Sequence, residues 1–317
     1  MKSFFVILIV SINLGLVGIY GQGGYPTGVY TSASGRQRTA SEVEAMKLKY
    51  DTERTNTQIN RLHAGPVQFG SEYPSSDFIK LAKKSVLPKA EFTTKYDSFL
   101  RLPKTGIVRL LPEKACLEGV SDKQPSFEKL FERCPFSFIE GGAKFYSFRK
   151  QDYVTAKLAD LGFTNNWLYS FGLFNQGVLV NLGDTALEDV TLSFKGISAL
   201  AEMIPAVDSA LADEQSQRFN DGVTIDGLTY RHLLPIEVNQ TYGLRVTAYK
   251  VDYVQAFEIG NRKIKNHPLE GDIRDDIIVA FRILEFDAEK GLTLLWKELQ
   301  RKRGPEMKMP QSTSKKK

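Results

Sequence analysis

The spacing of hydrophobic and polar residues changes about halfway along the chain. From residue 143 onward, short aromatic and aliphatic runs are separated by glycine, asparagine and aspartate, a pattern typical of strands joined by tight turns. The last third is the clearest. Residues 242–250 alternate in polarity, residues 276–287 form a long apolar run, and residues 291–299 follow a short loop. We expect these three segments to be neighbouring strands of one antiparallel sheet, the last two as a hairpin.

The rest of the pattern predicts shorter elements. We expect strands at 106–111, 145–149, 153–161, 167–173, 178–182, 190–194, 223–225 and 228–231, and helices at 41–62, 77–84, 126–133 and 206–219. Together they predict an α+β fold: a predominantly antiparallel β body, sandwich- or barrel-like, with a few peripheral helices.

Composition is compatible with a globular protein, because 42% of the 317 residues are hydrophobic and 25% are charged. The predicted segments are a signal peptide at 1–21, a flexible linker at 22–40, a helical and extended N-terminal part with a disulfide loop at 41–142, the antiparallel β body at 143–300, and a disordered basic tail at 301–317.

The first residues indicate export. A short positive stretch, Met1-Lys2-Ser3, precedes the apolar residues 4–20, and the small, polar Gly21-Gln22-Gly23-Gly24 follows them, which is the layout of a secretory signal peptide. The protein is therefore expected to be secreted or to lie in the periplasm or cell envelope. The alternative is an uncleaved membrane anchor, although the run is at the short limit for a span and Asn13 interrupts it.

The net charge of +5 comes from the end of the chain and from residues 80–133, which carry a net charge of +5. Residues 297–317 carry a net charge of +6, whereas residues 3–296 sum to −2. A basic tail attracts phosphates and anionic surfaces without reading sequence, but the ordinary explanation is a solubilising end. We expect no specific nucleic-acid binding, and a membrane contact only if the signal segment is retained.

The only two cysteines are Cys116 and Cys134, so a four-cysteine zinc site is excluded. An oxidising compartment favours a disulfide between them. Closing so short a loop stabilises the fold by about 3 kcal/mol in the chain-entropy model. The alternative is a reactive thiol, for which no histidine lies nearby in sequence.

Common catalytic and nucleotide-binding motifs are missing: the chain has no G-x-S-x-G, H-E-x-x-H, Walker A or EF-hand pattern. One acidic cluster comprises Glu270, Asp272, Asp275 and Asp276. Such a cluster can bind calcium or contain an acid/base pair, but neighbouring Arg274 can neutralise it, and a solvated loop is the ordinary explanation. We assign no catalytic residue, metal or cofactor.

The segment 254–275 is longer than a hairpin between two strands requires. Long loops are often functional or mobile, and this one carries Asn261 and His267 beside the acidic cluster. We expect a candidate binding loop formed by Asn261, His267, Glu270, Asp272, Asp275 and Asp276. A tolerated insertion explains the length equally well.

Three short motifs lie in the last third of the sequence: T-Y-x-L-R at 241–245, D-x-x-V-A-F-R at 276–282 and L-L-W-K at 294–297. This part of the chain, roughly 60 residues, resembles the C-terminal part of uncharacterised exported bacterial proteins that are rich in β structure. The resemblance has no family name attached and implies no activity.

The signal segment, the aromatic β body and the missing catalytic motifs favour an exported, non-enzymatic binding or structural protein of the cell envelope or extracellular space. Its ligand is unknown, and its partner is expected to be a protein or an envelope component. The alternative is a secreted hydrolase that uses Asp272, Asp275 or Asp276 as acid/base residues.

Overall fold

The computed structural model describes residues 76–112, 139–251, 269 and 271–308. The predicted signal peptide and linker, the helices at 41–62 and 126–133, both cysteines and most of the loop at 254–275 lie outside the described residues. Their predictions therefore stay predictions.

The described helices are short and lie mostly at the periphery. They are α1 (Ser76–Ser85), α2 (Ala90–Lys95), α3 (Asp97–Leu100), α4 (Ile197–Glu202) and α5 (Ser209–Asp221), with single 3₁₀ turns at Glu140–Ala143 and Leu187–Asp189. No helix in these parts of the chain is long and apolar enough to cross a membrane.

The described residues form thirteen strands, all paired antiparallel, in two sheets. They are β1 (Thr105–Leu110), β2 (Phe145–Ser147), β3 (Asp152–Tyr153), β4 (Leu161–Thr164), β5 (Trp167–Tyr169), β6 (Phe171–Gly172), β7 (Asn175–Asn181), β8 (Val223–Ile225), β9 (Leu228–Arg231), β10 (Leu233–Pro235), β11 (Thr241–Ala248), β12 (Asp275–Asp287) and β13 (Gly291–Arg303). The large sheet has the order β1-β13-β12-β11-β7-β9-β8, with β6 beside β7, and the small sheet has the order β10-β5-β4-β2-β3.

The two sheets share the main hydrophobic core. Tyr146, Phe163 and Leu168 of the small sheet pack in one cluster with Leu244 and Phe281 of the large sheet. Neither sheet closes on itself among the described strands. The predicted α+β fold with a predominantly antiparallel β body is confirmed, and the two open sheets correspond to its sandwich-like form rather than to a barrel.

The first half of strand β12, residues 276–281, is buried on both faces, which explains its nearly continuous apolar sequence. Because side chains alternate along a strand, Val279 and Phe281 enter the core between the sheets. Ile278 and Ala280 enter a second cluster on the opposite face, together with Leu200 of α4.

The predicted neighbours β11, β12 and β13 are confirmed as adjacent strands, and β12 and β13 form the expected hairpin. The strand expected at 190–194 is wrong. Val190 and Phe194 do pack in the second core cluster, but they do so from turns that precede α4. The strand expected at 153–161 is also wrong over most of its length, because Ala156 and Leu158 fill a core cluster from non-extended backbone.

The β body extends beyond both of its predicted ends. Strand β1 pairs with β13, so the sheet includes residues before 143. At the other end, residues 301–303 complete β13, and Lys308 forms a parallel bridge with Asp208. The expected disordered tail therefore does not begin at residue 301, and residues 309–317 lie outside the described part.

Candidate functional site

The structure describes three of the six residues expected to form a binding loop. Asp272, Asp275 and Asp276 are described, whereas Asn261, His267 and Glu270 are not. The three described carboxylates do not converge on a common point, because each meets a different set of arginines. Within the described ranges, no three histidine, cysteine, aspartate or glutamate side chains are grouped so that they could hold a metal ion.

Asp272 lies in a buried, positively charged environment. Its side chain is fully buried, and Oδ2 accepts hydrogen bonds from Arg149 Nη1 at 3.1 Å and Arg274 Nη1 at 2.9 Å, while Lys150 Nζ is 3.1 Å from Oδ1. Burial alone raises the pKa of Asp272, but the charge of Arg149 and the hydrogen bonds from Arg274 and Lys150 outweigh it, so the pKa is lowered. Asp272 is therefore held ionised and cannot supply a proton near neutral pH.

Arg149 extends this network to the small sheet. Its Nε donates to Asp160 Oδ1 at 2.7 Å, and Ser147 Oγ donates to Asp160 Oδ2 at 2.9 Å. Both side chains of the Arg149–Asp160 ion pair are fully buried. The network joins β2 to the segment that precedes β12, and its geometry is that of a structural link with its charges already matched.

A cleft with a volume of about 370 Å³ lies elsewhere, between α5 and the large sheet. That volume is within the range of small-molecule sites. Its lining combines a polar floor on β7 and β11 with largely apolar walls: Gln176, Val178, Glu202, Met203, Ile204, Pro205, Gln215, Arg218, Phe219, Val223, Ile225, Arg245 and Thr247.

The floor of the cleft contains a buried amide with an unused donor. Gln176 is only 7% exposed. Its Oε1 accepts a hydrogen bond from the Tyr249 hydroxyl at 3.2 Å, and that hydroxyl accepts one from the Ala206 backbone N–H at 3.1 Å. Gln176 Nε2 has no hydrogen-bond partner among the residues that the structure describes. A buried donor without a partner costs about 1–3 kcal/mol, so an acceptor that reaches this position is favoured.

Arg245 fixes the wall above this floor. Its Nε and Nη2 bind Asp276 in a bidentate ion pair, at 2.9 Å and 2.6 Å. Its Nη1 donates to the carbonyls of Leu200 and Met203, at the end of α4. The guanidinium thus holds the 202–205 segment against the sheet, and four of its five N–H groups are used.

The mouth of the cleft is formed where α4 and α5 are joined. Asp208 caps α5, since its Oδ1 accepts from the Leu211 N–H at 2.9 Å. Gln215 Nε2, on α5, donates to the Ile204 carbonyl at 3.0 Å and so bridges the two sides. Glu202 and Arg218, both exposed, give the mouth one charge of each sign.

Sequence reasoning missed this cleft and favoured the loop at 254–275. The one signal that could have revealed it is in β11, whose second face carries Gly243, Arg245 and Thr247 opposite a fully apolar first face. A charged residue in the middle of a buried strand needs a partner and often marks a site. The sequence contains that signal, but it does not indicate which other residues complete the cleft.

No family model, curated protein or solved structure matches the chain. The resemblance of residues 241–297 to exported bacterial proteins therefore stays a prediction. Within the structure, that region is the β11–β12–β13 part of the large sheet, which contributes Arg245 and Thr247 to the cleft.

Proposed function

We propose that this protein is an exported, non-enzymatic binding protein that holds a small molecule in the cleft between α5 and the large sheet. The observation that carries the proposal is the buried Gln176 amide, whose Nε2 lacks a hydrogen-bond partner within the described chain while its Oε1 is fixed by Tyr249. A concave site with apolar walls and a few oriented polar groups is the usual form of a ligand site.

The chemistry of the floor supports binding rather than hydrolysis. Its polar groups are the Gln176 amide, the Thr247 hydroxyl and the Arg245 guanidinium. These groups orient a ligand through hydrogen bonds, and none is a carboxylate or imidazole of the kind that usually serves as a general acid or base. The carboxylates of the hydrolase alternative, Asp272, Asp275 and Asp276, are each paired with an arginine, so none of them is free for an acid/base role.

Export and a location in the envelope or outside the cell rest on the N-terminal residues 1–24. A soluble ligand or one released from an envelope component would have access to the cleft in either place. We propose no nucleic-acid partner, because the excess of basic residues lies in 80–133 and 297–317, and no described residue of either range lines the cleft.

The test is ligand binding at the cleft, with one variant that blocks it. Ile204 lines the cleft but is 80% exposed, so Ile204→Trp should fill the mouth without disturbing the core. The control is Val238→Trp, an exposed apolar position that does not line the cleft. A set of small uncharged and charged fragments would be titrated into ¹⁵N-labelled protein and followed by NMR.

We expect at least one fragment to shift the resonances of Gln176 and Phe219. This response should be lost in Ile204→Trp and kept in Val238→Trp. Fragments that shift no cleft resonance, or that bind equally well to Ile204→Trp, would contradict a ligand site at this position.

A further inference from the structure

We infer that the ligand of this cleft is an uncharged, largely apolar molecule with one hydrogen-bond-accepting oxygen, such as a ketone, ester or amide carbonyl, placed against Gln176. This inference rests on the proposed function and specifies the class of ligand. It follows from three features of the cleft: the unpaired Nε2 donor of Gln176, the neutralised charge of Arg245 on the floor, and the apolar walls.

The unpaired group on the floor is the N–H donor of Gln176, because two successive hydrogen bonds set the orientation of its side-chain amide. The Ala206 N–H donates to the Tyr249 hydroxyl, which leaves that hydroxyl to donate to Gln176 Oε1. The Nε2 side of Gln176 therefore faces away from Tyr249 and meets no acceptor in the described residues. A ligand that brings an acceptor satisfies this donor, whereas a ligand with only donors leaves Gln176 Nε2 unpaired.

The floor has no charge to spare for an anion. Arg245 is a cation of the floor, but Asp276 neutralises it through a bidentate pair. Thr247 Oγ1 lies 3.3 Å from the same carboxylate, within donor distance. A buried carboxylate of a ligand needs an unpaired cation or several donors to offset desolvation, and a single amide does not meet that need. A neutral carbonyl is satisfied by one donor.

A cation is equally disfavoured at the floor, since the carboxylate of Asp276 already binds Arg245. The apolar walls of the cleft favour a ligand whose remaining atoms are mostly hydrocarbon. Met203, Pro205, Phe219, Val223 and Ile225 line the space above Gln176, so the remainder of the molecule gains from burying hydrocarbon surface. Charged groups can remain only at the mouth, near Glu202 and Arg218.

Four compounds of nearly the same shape separate these possibilities: acetophenone as the neutral acceptor, ethylbenzene without an acceptor, benzoate as the anion and benzylamine as the cation. Each would be titrated into the full-length ¹⁵N-labelled protein and its Kd measured by NMR. The variant is Gln176→Leu. A second variant, Gln176→Glu, keeps an acceptor for Tyr249 but replaces the donor, so that the test does not depend on one variant folding.

We expect acetophenone to bind, and its preference over ethylbenzene to fall by roughly fivefold in Gln176→Leu, the size of one buried hydrogen bond. The same loss is expected in Gln176→Glu. Tightest binding of benzoate or benzylamine, or a preference that does not depend on Gln176, would overturn the ligand class while leaving a binding site in place. Failure of all four compounds to bind at the cleft would overturn both the ligand class and the proposed function.

Discussion

Arg245 and Asp276 lie on the adjacent strands β11 and β12 and bind each other through two parallel contacts, Nε to Oδ1 at 2.9 Å and Nη2 to Oδ2 at 2.6 Å. Each side chain is only 6% exposed. The two residues are not directly paired in the register, where Arg245 is opposite Ile278 and Asp276 is opposite Thr247, so the ion pair runs diagonally. It binds the sheet to the end of α4 and shapes the cleft.

Removing one charge of this pair should destabilise the protein strongly. In Asp276→Asn the buried guanidinium loses its counter-ion, and the expected loss is about 3–5 kcal/mol in the free energy of unfolding. Urea denaturation would measure it. The matched control is Asp97→Asn, which breaks the exposed Arg101–Asp97 pair of α3 and should cost no more than about 1 kcal/mol. Equal losses in the two variants would show that burial of the Arg245–Asp276 pair has no energetic consequence.

A second prediction concerns acid stability. The folded protein lowers the pKa of Asp272 below its ordinary value of 3.8. A carboxylate with a lowered folded-state pKa contributes stability that is fully present above the unfolded value and is lost as pH falls through the folded value. Urea unfolding of wild type and Asp272→Asn between pH 7 and pH 2 should therefore give a difference that is largest at neutral pH and shrinks below about pH 4. A difference that stays constant across this range would contradict the assignment.

Strand β1 depends on a glycine that faces an indole ring. A Cβ added at Gly106 would lie 2.7 Å from Cε2 and Nε1 of Trp296, its register partner on β13. We expect Gly106→Ala to cost about 1–3 kcal/mol in unfolding free energy through overpacking, and Trp296→Phe in the same chain to recover part of this loss.

The control is Gly227→Ala, where a Cβ meets nothing within 4 Å and only the positive φ of +79° is unfavourable. It should cost about 1 kcal/mol and show no coupling to Trp296→Phe. Coupling of the same size in both double variants would contradict the steric explanation for Gly106.

Intact mass spectrometry of protein secreted by the exporting host tests the N-terminal and cysteine predictions together. We expect a mass that corresponds to cleavage near Gly21 to Gly23, less two hydrogens for a disulfide between Cys116 and Cys134. Retention of residues 1–20 would indicate a membrane anchor instead. Two thiols that react with iodoacetamide without prior reduction would contradict the disulfide.

The strands that were predicted well are those whose pattern of apolar residues reflects burial of the sheet faces. In β11 the apolar residues are set by sheet faces that are buried along the whole strand, in β12 by faces that are buried over its first half, and β12 ends in a tight turn near Gly291. The segment 190–194 has the same apolar character, but there Val190 and Phe194 satisfy burial without extended backbone. Hydrophobic pattern alone does not separate these two cases.

The candidate site could be predicted less well, because neighbours in sequence are not neighbours in the fold. Asp275 and Asp276 are consecutive in β12, so their side chains leave opposite faces of the sheet: Asp275 meets Arg301, and Asp276 meets Arg245. Gln176 and Thr247 are far apart in the chain, yet they are paired directly in the register of β7 and β11. Without knowledge of that strand pairing, Gln176 and Thr247 could not have been assigned to the floor of the same cleft.

The position of β1 has a consequence for how this chain folds. Val108 pairs with Leu294, so the edge of the large sheet joins two segments that are far apart in the chain. Until β13 is in place, the apolar strand β1 has no partner among the described strands and the main core lacks Trp296. Folds dominated by such distant contacts form slowly, and unpaired apolar segments aggregate or recruit chaperones. Completion of the native state is thus delayed until the β12–β13 hairpin joins the sheet, and a chain truncated before residue 291 should remain a substrate for proteases.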